Sequence, residues 1–248
     1  MESNSSIRLK IGIIGSGNVA THLERAFRSA SLEIVQINSR SLLGLGPDFN
    51  VLLIAVSDKA IKEVAERVGI ALPRFKGIVA HTAGSVDASI LSPFFESYGV
   101  FYPLQTFSRN VDIADYSEIP VFVEGSPQVL PTLEWLGFRI SNNVHILDSE
   151  RRKTLHLASV FACNFVNAMY TAAEDILKDC GLPFDVVTPL IRQTMLKALQ
   201  RSPKECQTGP ASRKDTEVLR QHVDMLASRP ELADIYEAVS NFIMSKKD

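Results

Sequence analysis

The chain has 248 residues, of which 46% are apolar and 22% are charged, and its formal net charge is −2. This composition is typical of a globular protein with room for one large domain or two modest ones. A nearly neutral balance of charge excludes a basic nucleic-acid-binding surface, and no apolar run approaches the roughly 18 residues of a membrane span. We therefore expect neither a nucleic-acid partner nor a membrane partner.

The three cysteines, Cys163, Cys180 and Cys206, stand far apart in the sequence. They form no C-x-x-C pair, and no cluster of histidines accompanies them. Such spacing favours reduced thiols over a disulfide framework or a zinc site. The sequence thus predicts a cytoplasmic protein without a bound metal.

Up to about residue 148, short apolar runs alternate with helical stretches. The runs are rich in Val and Ile without clean alternation, which is typical of parallel strands buried on both faces. Strands are predicted at residues 9–15, 33–38, 51–57, 77–82, 100–103, 120–125 and 144–148. Helices are predicted at residues 18–30, 58–70, 86–97 and 127–138. This alternation predicts an α/β fold with a doubly wound, mostly parallel sheet over residues 1–148.

After residue 149 the pattern becomes helical and contains no β-type run. Residues 149–179 include no proline or glycine and predict one long helix, which GLP at 181–183 ends. Further helices are predicted at residues 185–201, 215–228 and 231–245, with an irregular loop at 202–215. Residues 149–248 are therefore predicted to form an all-helical domain.

The segment GSGNVA at residues 15–20 fits the pattern G-x-G-x-x-G/A between a predicted strand and a predicted helix. Gly15 allows a tight turn, Gly17 allows close approach of a pyrophosphate, and Ala20 allows the helix to pack closely against the strand. The first N–H groups of the helix would hold the anion. The alternative is a glycine-rich turn that binds nothing. The βαβ context favours a Rossmann-like dinucleotide site that includes Gly15, Ser16, Gly17, Asn18 and Val19.

The end of the second predicted strand distinguishes NADP from NAD. An NAD site usually places a carboxylate there to bind the ribose 2′-hydroxyl, whereas this chain has Asn38, Ser39, Arg40 and Ser41. Arg40 can stack on adenine or pair with a 2′-phosphate, to which the two serine hydroxyls can donate. The alternative is that Arg40 is a solvated loop residue. The segment favours NADP(H) as the cofactor.

Ligands in such folds lie outside the carboxyl ends of the strands. This rule nominates the residues at the ends of the third and fourth predicted strands, which are Val56, Ser57 and Asp58 and then His81, Thr82, Ala83 and Gly84. His81 either lies near the nicotinamide or is a buried, hydrogen-bonded imidazole. The segment YPLQTF at residues 102–107 follows the next strand, and its polar groups either face a ligand or serve packing and turns.

The predicted long helix carries one narrow polar stripe on a surface that is otherwise apolar, so we expect the helix to be buried. At about 100° per residue, His156, Val160, Cys163 and Asn167 share a face, with Asn164 at its edge. Buried polar groups need partners, which are either a substrate, another subunit, or hydrogen bonds within the core. Because an unperturbed imidazole titrates near pH 6.5, His156 suits acid–base catalysis, and Asn164 is its candidate companion.

The segment TGPASRKD at residues 208–215 contains further candidates. Its first three residues fix a turn, and the polar residues that follow present Arg213 and Asp215. Arg213 can clamp a substrate carboxylate through two hydrogen bonds. Asp215 either belongs to the site or caps the following helix.

Seven segments in order, GSGNVA, NSRS, LIAVSD, HTAGS, YPLQTF, LHLASVFACNF and TGPASRKD, resemble a family provisionally classed as NADP oxidoreductases. The resemblance spans nearly the whole chain. This family pairs a Rossmann-like domain with a helical C-terminal domain of unknown function, and its reaction has not been established. More distantly the chain is similar to the superfamily of pyrroline-5-carboxylate reductase, ketopantoate reductase, deazaflavin-dependent NADP oxidoreductase and 6-phosphogluconate dehydrogenase. The resemblance implies a homodimer through the helical domains and an active site between the carboxyl edge of the sheet and the second domain.

The chain departs from these relatives at three places. Tyr102 stands where many members of the family have His. The Lys-x-x-x-Asn pair of the superfamily's dehydrogenases is absent, because Leu157 follows four residues after Lys153. His156 with Asn164 is the nearest substitute. Residues 41–50 also leave hardly any room for a helical crossover between the second and third strands.

The sequence thus predicts an NADP(H)-dependent oxidoreductase that transfers hydride to or from a small carbonyl or imine compound. Residues 1–148 would bind NADP, and residues 149–248 would dimerise and bind substrate. Arg213 would hold an anionic group and His156 would act as acid or base. One alternative is a non-catalytic, NADP(H)-binding regulatory protein, since the Lys-x-x-x-Asn pair is absent. A methyltransferase-like protein that binds S-adenosylmethionine is disfavoured by Arg40 and by the helical second half.

Overall fold

A computed structural model describes residues 9–246. The chain divides into two compact units, Met1–Cys163 and Asn164–Asp248. The predicted domain boundary after residue 148 falls earlier than this division. The helix that begins at Ser149 belongs to the first unit, because its Arg152 side chain bonds to the backbone of residues 83–86.

The first unit is built on one seven-stranded sheet with the strand order β2-β1-β3-β4-β5-β6-β7. Every neighbouring pair is parallel except β5 with β6. The strands are β1 (Lys10–Ile14), β2 (Glu33–Ile37), β3 (Val51–Ile54), β4 (Ile78–His81), β5 (Tyr98–Pro103), β6 (Val121–Gly125) and β7 (Val144–Ile146). The predicted mostly parallel α/β sheet is confirmed, and the link between β2 and β3 contains only turns.

Four helices accompany the sheet: α1 (Asn18–Ser29), α2 (Ile61–Ala71), α3 (Leu130–Phe138) and α4 (Ser149–Ser159). The helix predicted at residues 86–97 is wrong. Only a short 3-10 turn, Ala88–Leu91, forms there. Pro93 lacks an N–H and cannot continue a helix, and the Asp87 carboxylate accepts from the Ser89 N–H to start the turn.

Helices cover the sheet on both faces. On one face, Leu23 and Phe27 of α1 and Leu133 of α3 join a buried cluster with β1, β3 and β6. On the other face, Ile61 and Val68 of α2 pack against β1 and β3. Fully burying one such side chain contributes about 1.5–3 kcal/mol, so this double-sided packing fixes the register of the central strands and the position of their carboxyl ends.

The second unit is helical throughout the residues that the structure describes, apart from its turns. The helix predicted at residues 149–179 contains a π-helical segment, Val160–Phe165, between α4 and the following α-helix. The loop predicted at 202–215 contains two short helices. The further helices are α5 (Val166–Asp179), α6 (Thr188–Gln200), α7 (Pro203–Cys206), α8 (Pro210–Arg213), α9 (Thr216–Met225) and α10 (Pro230–Ser245), with a 3-10 turn at Phe184–Val187.

The second unit buries little of its apolar surface within the chain. Between residues 164 and 246 only Ala211, Ser212 and Ser240 are buried. The expectation that the apolar helix at 149–179 is buried is wrong for the single chain, because Leu157 is 59% exposed and Met169 is 37% exposed. The sequence pattern shows that these side chains are apolar, but it cannot show whether they are buried by other residues of the same chain.

Candidate functional site

The glycine turn between β1 and α1 is closed on one side and open on the other. Gly15 has a φ of +138°, and a Cβ there would lie 2.2 Å from the Ala55 carbonyl oxygen. Gly17 caps α1 with a φ of −77°, and no atom lies within 4 Å of the position its Cβ would occupy. The first turn of α1 contains no acidic residue. Its first N–H groups, which lack intrahelical partners, can therefore bind an anion, and the open space at Gly17 lets that anion approach them.

A groove of about 410 Å³ lies at this turn, a size within the usual range for ligand pockets. It is lined by Ser16, Gly17, Asn18, Val19, Ser39, Ala55, Val56, Ser57, Ala60 and Val64. Seven of these ten residues are predicted cofactor residues. The fold thus brings together residues that follow β1, β2 and β3.

The segment predicted to recognise the 2′-phosphate forms a braced turn after β2. The Asn38 side-chain oxygen accepts from the N–H groups of Arg40, at 2.9 Å, and Ser41, at 3.2 Å. From α2, the Arg67 guanidinium donates to the carbonyl oxygens of Ser39 and Arg40. Arg40 itself is exposed. Sequence analysis missed Arg67, which is separated from this turn by β3.

Residues 104–118, which we call the strap, belong to the connection from β5 to β6 and contact the glycine turn. Asn18 Nδ2 donates to the Phe107 carbonyl oxygen at 2.9 Å, and the Arg109 guanidinium donates to the carbonyl oxygen of Ser16. The buried His22 ring stacks on Phe107 and bonds to the Ser108 carbonyl oxygen at 3.0 Å. The strap places a cation, Arg109, beside the anion site. No local pattern in the sequence indicated this return.

His81 at the end of β4 is fully buried. Its Nδ1 accepts from the Ala83 N–H at 3.2 Å, and its Nε2 lies 3.4 Å from the carbonyl oxygen of Asp87. Burial, with a smaller contribution from the Arg152 charge, lowers the pKa of His81 to about 4. This is the buried imidazole of the sequence-based alternative. Because the ring exposes no surface, we assign it to shaping the loop and not to contacting a cofactor. Thr82, the next predicted residue, is also buried.

Tyr102 and His156 meet at the carboxyl end of β5. Tyr102 Oη lies 3.1 Å from His156 Nδ1, and the two rings are in edge contact. Gly84, in the loop after β4, makes room for the pair. A Cβ at that position would lie 2.6 Å from His156 Nδ1 and 2.7 Å from Tyr102 Cζ. The fold thus brings together the end of β5, the loop after β4 and helix α4, and their residues Tyr102, Gly84 and His156 form one cluster.

Arg152, one turn before His156 on α4, is the residue that holds this cluster together. Its side chain is fully buried and donates to the carbonyl oxygens of Gly84, at 3.1 Å, and Val86, at 2.9 Å. It also pairs with the Glu124 carboxylate of β6 at 2.9 Å. Sequence analysis missed Arg152, although its position four residues before His156 places it on the same helix face.

Two further carboxylates lie at this edge. Asp58, which begins the 3-10 turn after β3, accepts from the Ser85 hydroxyl and so links the ends of β3 and β4. Asp87 pairs with Lys153 at 2.8 Å, and hydrogen bonds from Lys153 and Ser89 hold the pKa of Asp87 well below its ordinary value. Lys153 is therefore engaged in an ion pair.

The remaining predicted catalytic residues lie in the second unit. Asn164 is exposed within the π-helical segment, and Arg213 is exposed at the end of α8. Asp215 caps α9 by accepting from the Val218 N–H at 3.3 Å, which is the second role considered for it. The catalytic roles of these three residues stay predictions.

Within residues 9–246, no group of three or more His, Cys, Asp or Glu side chains is arranged to hold a metal ion. The helices of the same range are too short or too polar to cross a membrane.

Comparison with known proteins relates the chain to a family and to several solved structures. The model of a domain of unknown function, DUF2520, matches residues 119–243, about half of the chain. A protein from Bacteroides fragilis, provisionally named an NADP oxidoreductase, is 36% identical, with a TM-score of 0.89 over 96% of this chain and 98% of that one. Comparison with curated proteins gives no match.

Two more distant structures share the fold. A protein from Thermotoga maritima is 19% identical, with a TM-score of 0.70 over 96% of this chain and 98% of that one. An imine reductase from Myxococcus stipitatus, solved in complex with NADP⁺, is 12% identical, with a TM-score of 0.63 over 95% of this chain and 92% of that one.

Proposed function

The chain belongs to the DUF2520 family, and from this membership and the geometry of the carboxyl edge we propose that it is an NADP(H)-dependent oxidoreductase. Its substrate would be a small carbonyl or imine compound. One observation carries the proposal: the open anion cradle at Gly17 and the Tyr102–His156 pair lie at the carboxyl ends of strands that run parallel in one sheet. The provisional name of the Bacteroides fragilis relative and the NADP⁺ complex of the imine reductase support it.

The order of the strands suggests how the cofactor would be held. Residues 39–41, after β2, suit the adenosine ribose and its 2′-phosphate, and the start of α1 suits the diphosphate. The rest of the dinucleotide would then extend over β3 and β4, towards Ser57 and the loop at Gly84. Arg109 of the strap, which bonds to the Ser16 carbonyl oxygen, would place a cation near the diphosphate. The residues fit the group because the cradle at Gly17 is empty and no carboxylate occupies positions 38–41.

When bound, the nicotinamide supplies or accepts the hydride. The protein's own groups then manage the proton that the substrate nitrogen or oxygen gains or loses. His156 is the titratable group that we assign to this task, since its ring is partly exposed beside the loop after β4. Arg213 and Asn164 remain our candidates for binding polar groups of the substrate.

We further propose that the second unit forms a homodimer, as the family resemblance implies. Large apolar side chains cover its surface, among them Leu190, Leu199, Met225 and Phe242, each more than 60% exposed. A unit with three buried residues needs a further surface to cover these side chains. Light scattering should give twice the chain mass, and Leu199→Glu with Leu190→Glu should reduce it to the chain mass.

Three free cysteines, Cys163, Cys180 and Cys206, are compatible with a reducing compartment. We accordingly place the protein in the cytoplasm.

The function is tested by calorimetric titration with NADPH and by following NADPH absorbance with a panel of small imines and carbonyl compounds. We expect binding, turnover of at least one compound class, and lower turnover in His156→Ala with NADPH affinity unchanged. Tight binding without any turnover would favour the regulatory alternative. Failure to bind either NADP⁺ or NADPH would overturn the proposal.

A further inference from the structure

The Tyr102–His156 contact pairs one ring nitrogen with one hydroxyl. Tyr102 lies at the carboxyl end of β5 and is 8% exposed. His156 approaches it from α4, and its Nδ1 lies 3.1 Å from the phenolic oxygen. A proton that leaves Nδ1 can therefore pass directly to Tyr102 Oη.

The surroundings of the phenol favour its protonated form. Burial raises the pKa of Tyr102, while the nearby Arg152 charge opposes this rise. Asp58 is the other charged group that acts on Tyr102, and it too raises the pKa. Arg152 is paired with Glu124, and Lys153 with Asp87, so these four charges are fixed around the pair. The net rise of the pKa disfavours a lasting phenolate, so a proton that leaves Oη has to be replaced by a neighbouring donor, and His156 Nδ1 lies at hydrogen-bond distance.

The backbone also preserves the contact. Position 84 requires glycine, because a Cβ there would lie 2.6 Å from His156 Nδ1 and 2.7 Å from Tyr102 Cζ. Arg152 holds the Gly84 carbonyl oxygen at 3.1 Å, so the loop cannot retreat without losing that bond. Three segments are thus arranged to keep Oη and Nδ1 at hydrogen-bond distance.

We propose that the Tyr102 hydroxyl is the proton donor to the substrate nitrogen or oxygen, and that His156 replaces that proton through Nδ1. This inference rests on the proposed NADPH-dependent reduction. In the reducing direction the substrate carbon gains the hydride of the reduced nicotinamide, the C=N or C=O π bond breaks, and the heteroatom takes the Tyr102 proton. The His156 imidazolium then passes its Nδ1 proton to the phenolate, which leaves a neutral phenol and a neutral imidazole. The imidazole takes up one proton from water.

Three variants separate this relay from direct catalysis by His156. Tyr102→Phe keeps the ring and removes the hydroxyl. His156→Asn keeps a hydrogen-bonding group near the position of Nδ1 but cannot titrate. Tyr98→Phe, at the opposite end of the same strand, is the matched control for loss of a phenolic hydroxyl.

The relay predicts that Tyr102→Phe lowers kcat by about 100-fold or more, the usual contribution of a positioned acid, with NADPH affinity unchanged. Tyr98→Phe should keep wild-type kcat. His156→Asn should retain more activity than Tyr102→Phe, because the phenol that protonates the substrate is still present. Wild-type kcat in Tyr102→Phe, or greater loss in His156→Asn than in Tyr102→Phe, would overturn the inference.

A measurement without cofactor or substrate keeps the inference separate from the proposed function. The nitrogen chemical shifts of the His156 ring can be measured by NMR in the wild type, in Tyr102→Phe and in Gly84→Ala. We expect the Nδ1 signal to move in both variants and to stay in place in Tyr98→Phe, because only the first two disturb the contact with Oη. An unchanged Nδ1 signal in Tyr102→Phe would show that the two rings are uncoupled and would overturn the relay, even if the enzyme reduces imines. A moved signal with no NADPH oxidation by the wild type would instead place the failure in the proposed function.

Discussion

Along the carboxyl edge of the sheet, the region at β1 is open, whereas the region at β4 and β5 is filled by side chains. At β1 the edge is open, since no atom occupies the space in front of Gly17 and the lining of the groove comes from short turns. At β4 and β5 the edge is filled by buried polar side chains of the protein itself, Arg152, His81 and Tyr102. The open end is formed by short segments that lie close together in the sequence and leaves room for a ligand. The filled end is assembled from distant segments and sets polar groups in fixed positions at a cost in desolvation.

The largest effect should come from removing the cation at the filled end. Arg152→Met would remove the cation that pairs with the Glu124 carboxylate and the guanidinium that donates to three carbonyl oxygens. We expect the free energy of unfolding in urea to fall by about 3–5 kcal/mol. Arg151→Met, at the exposed neighbouring position, should change it by less than about 0.5 kcal/mol. Equal effects of the two variants would show that the filled end does not depend on Arg152.

A pH-dependent effect should follow from His81. The pKa of His81 is near 6.5 in the unfolded chain and about 4 in the folded protein. Between pH 6.5 and pH 4 the imidazole is therefore protonated in the unfolded state and neutral in the folded state. The contribution of neutral His81 to the free energy of unfolding is therefore fully present above pH 6.5 and is lost as the pH falls towards 4, by about 3 kcal/mol in total. Asp87 acts in a separate window, below its ordinary pKa of 3.8.

The variant His81→Asn keeps an acceptor for the Ala83 N–H but does not titrate. Urea denaturation at several pH values between 7 and about 4.5 should show a smaller decline for the variant than for the wild type. Parallel declines in the two proteins would mean that His81 is not buried in its neutral form.

The two glycines of the open end should respond differently to alanine. At Gly15 a Cβ meets the Ala55 carbonyl oxygen and φ is positive, so Gly15→Ala should lower the free energy of unfolding by about 1–3 kcal/mol. Gly17→Ala meets no atom and should leave it unchanged within about 0.5 kcal/mol. We expect Gly17→Ala to weaken NADPH binding about tenfold or more, measured by calorimetry. Undiminished NADPH affinity in Gly17→Ala would contradict a diphosphate at this turn.

The smallest effect concerns the choice of cofactor. Arg40→Ala should weaken NADPH binding about tenfold, which corresponds to 1.4 kcal/mol, and should leave NADH binding unchanged. The reason is that only NADPH offers a 2′-phosphate to the exposed guanidinium. Equal losses for the two cofactors would indicate that Arg40 stacks on adenine.

The contrast between the ends explains what the sequence could predict. The strands and the glycine turn follow from contiguous apolar runs and glycine spacing, which are local signals. The contact of Tyr102 with His156 joins residues 54 positions apart, and that of Arg152 with Ala83 joins residues 69 apart. No local pattern contains such pairs. Helical periodicity places Arg152 on the same face as His156 and could have identified it. The same periodicity predicted a helix at residues 86–97 that does not form, because Pro93 lacks a hydrogen-bond donor.

A crystal structure with bound NADP⁺ would test most directly whether the cofactor extends along the carboxyl edge from β2 to β4. We predict the diphosphate at the backbone N–H groups of Asn18 and Val19, the 2′-phosphate beside Arg40, and the nicotinamide beside Gly84. A nucleotide bound away from the glycine turn, or a nicotinamide pointing away from Tyr102, would contradict this placement.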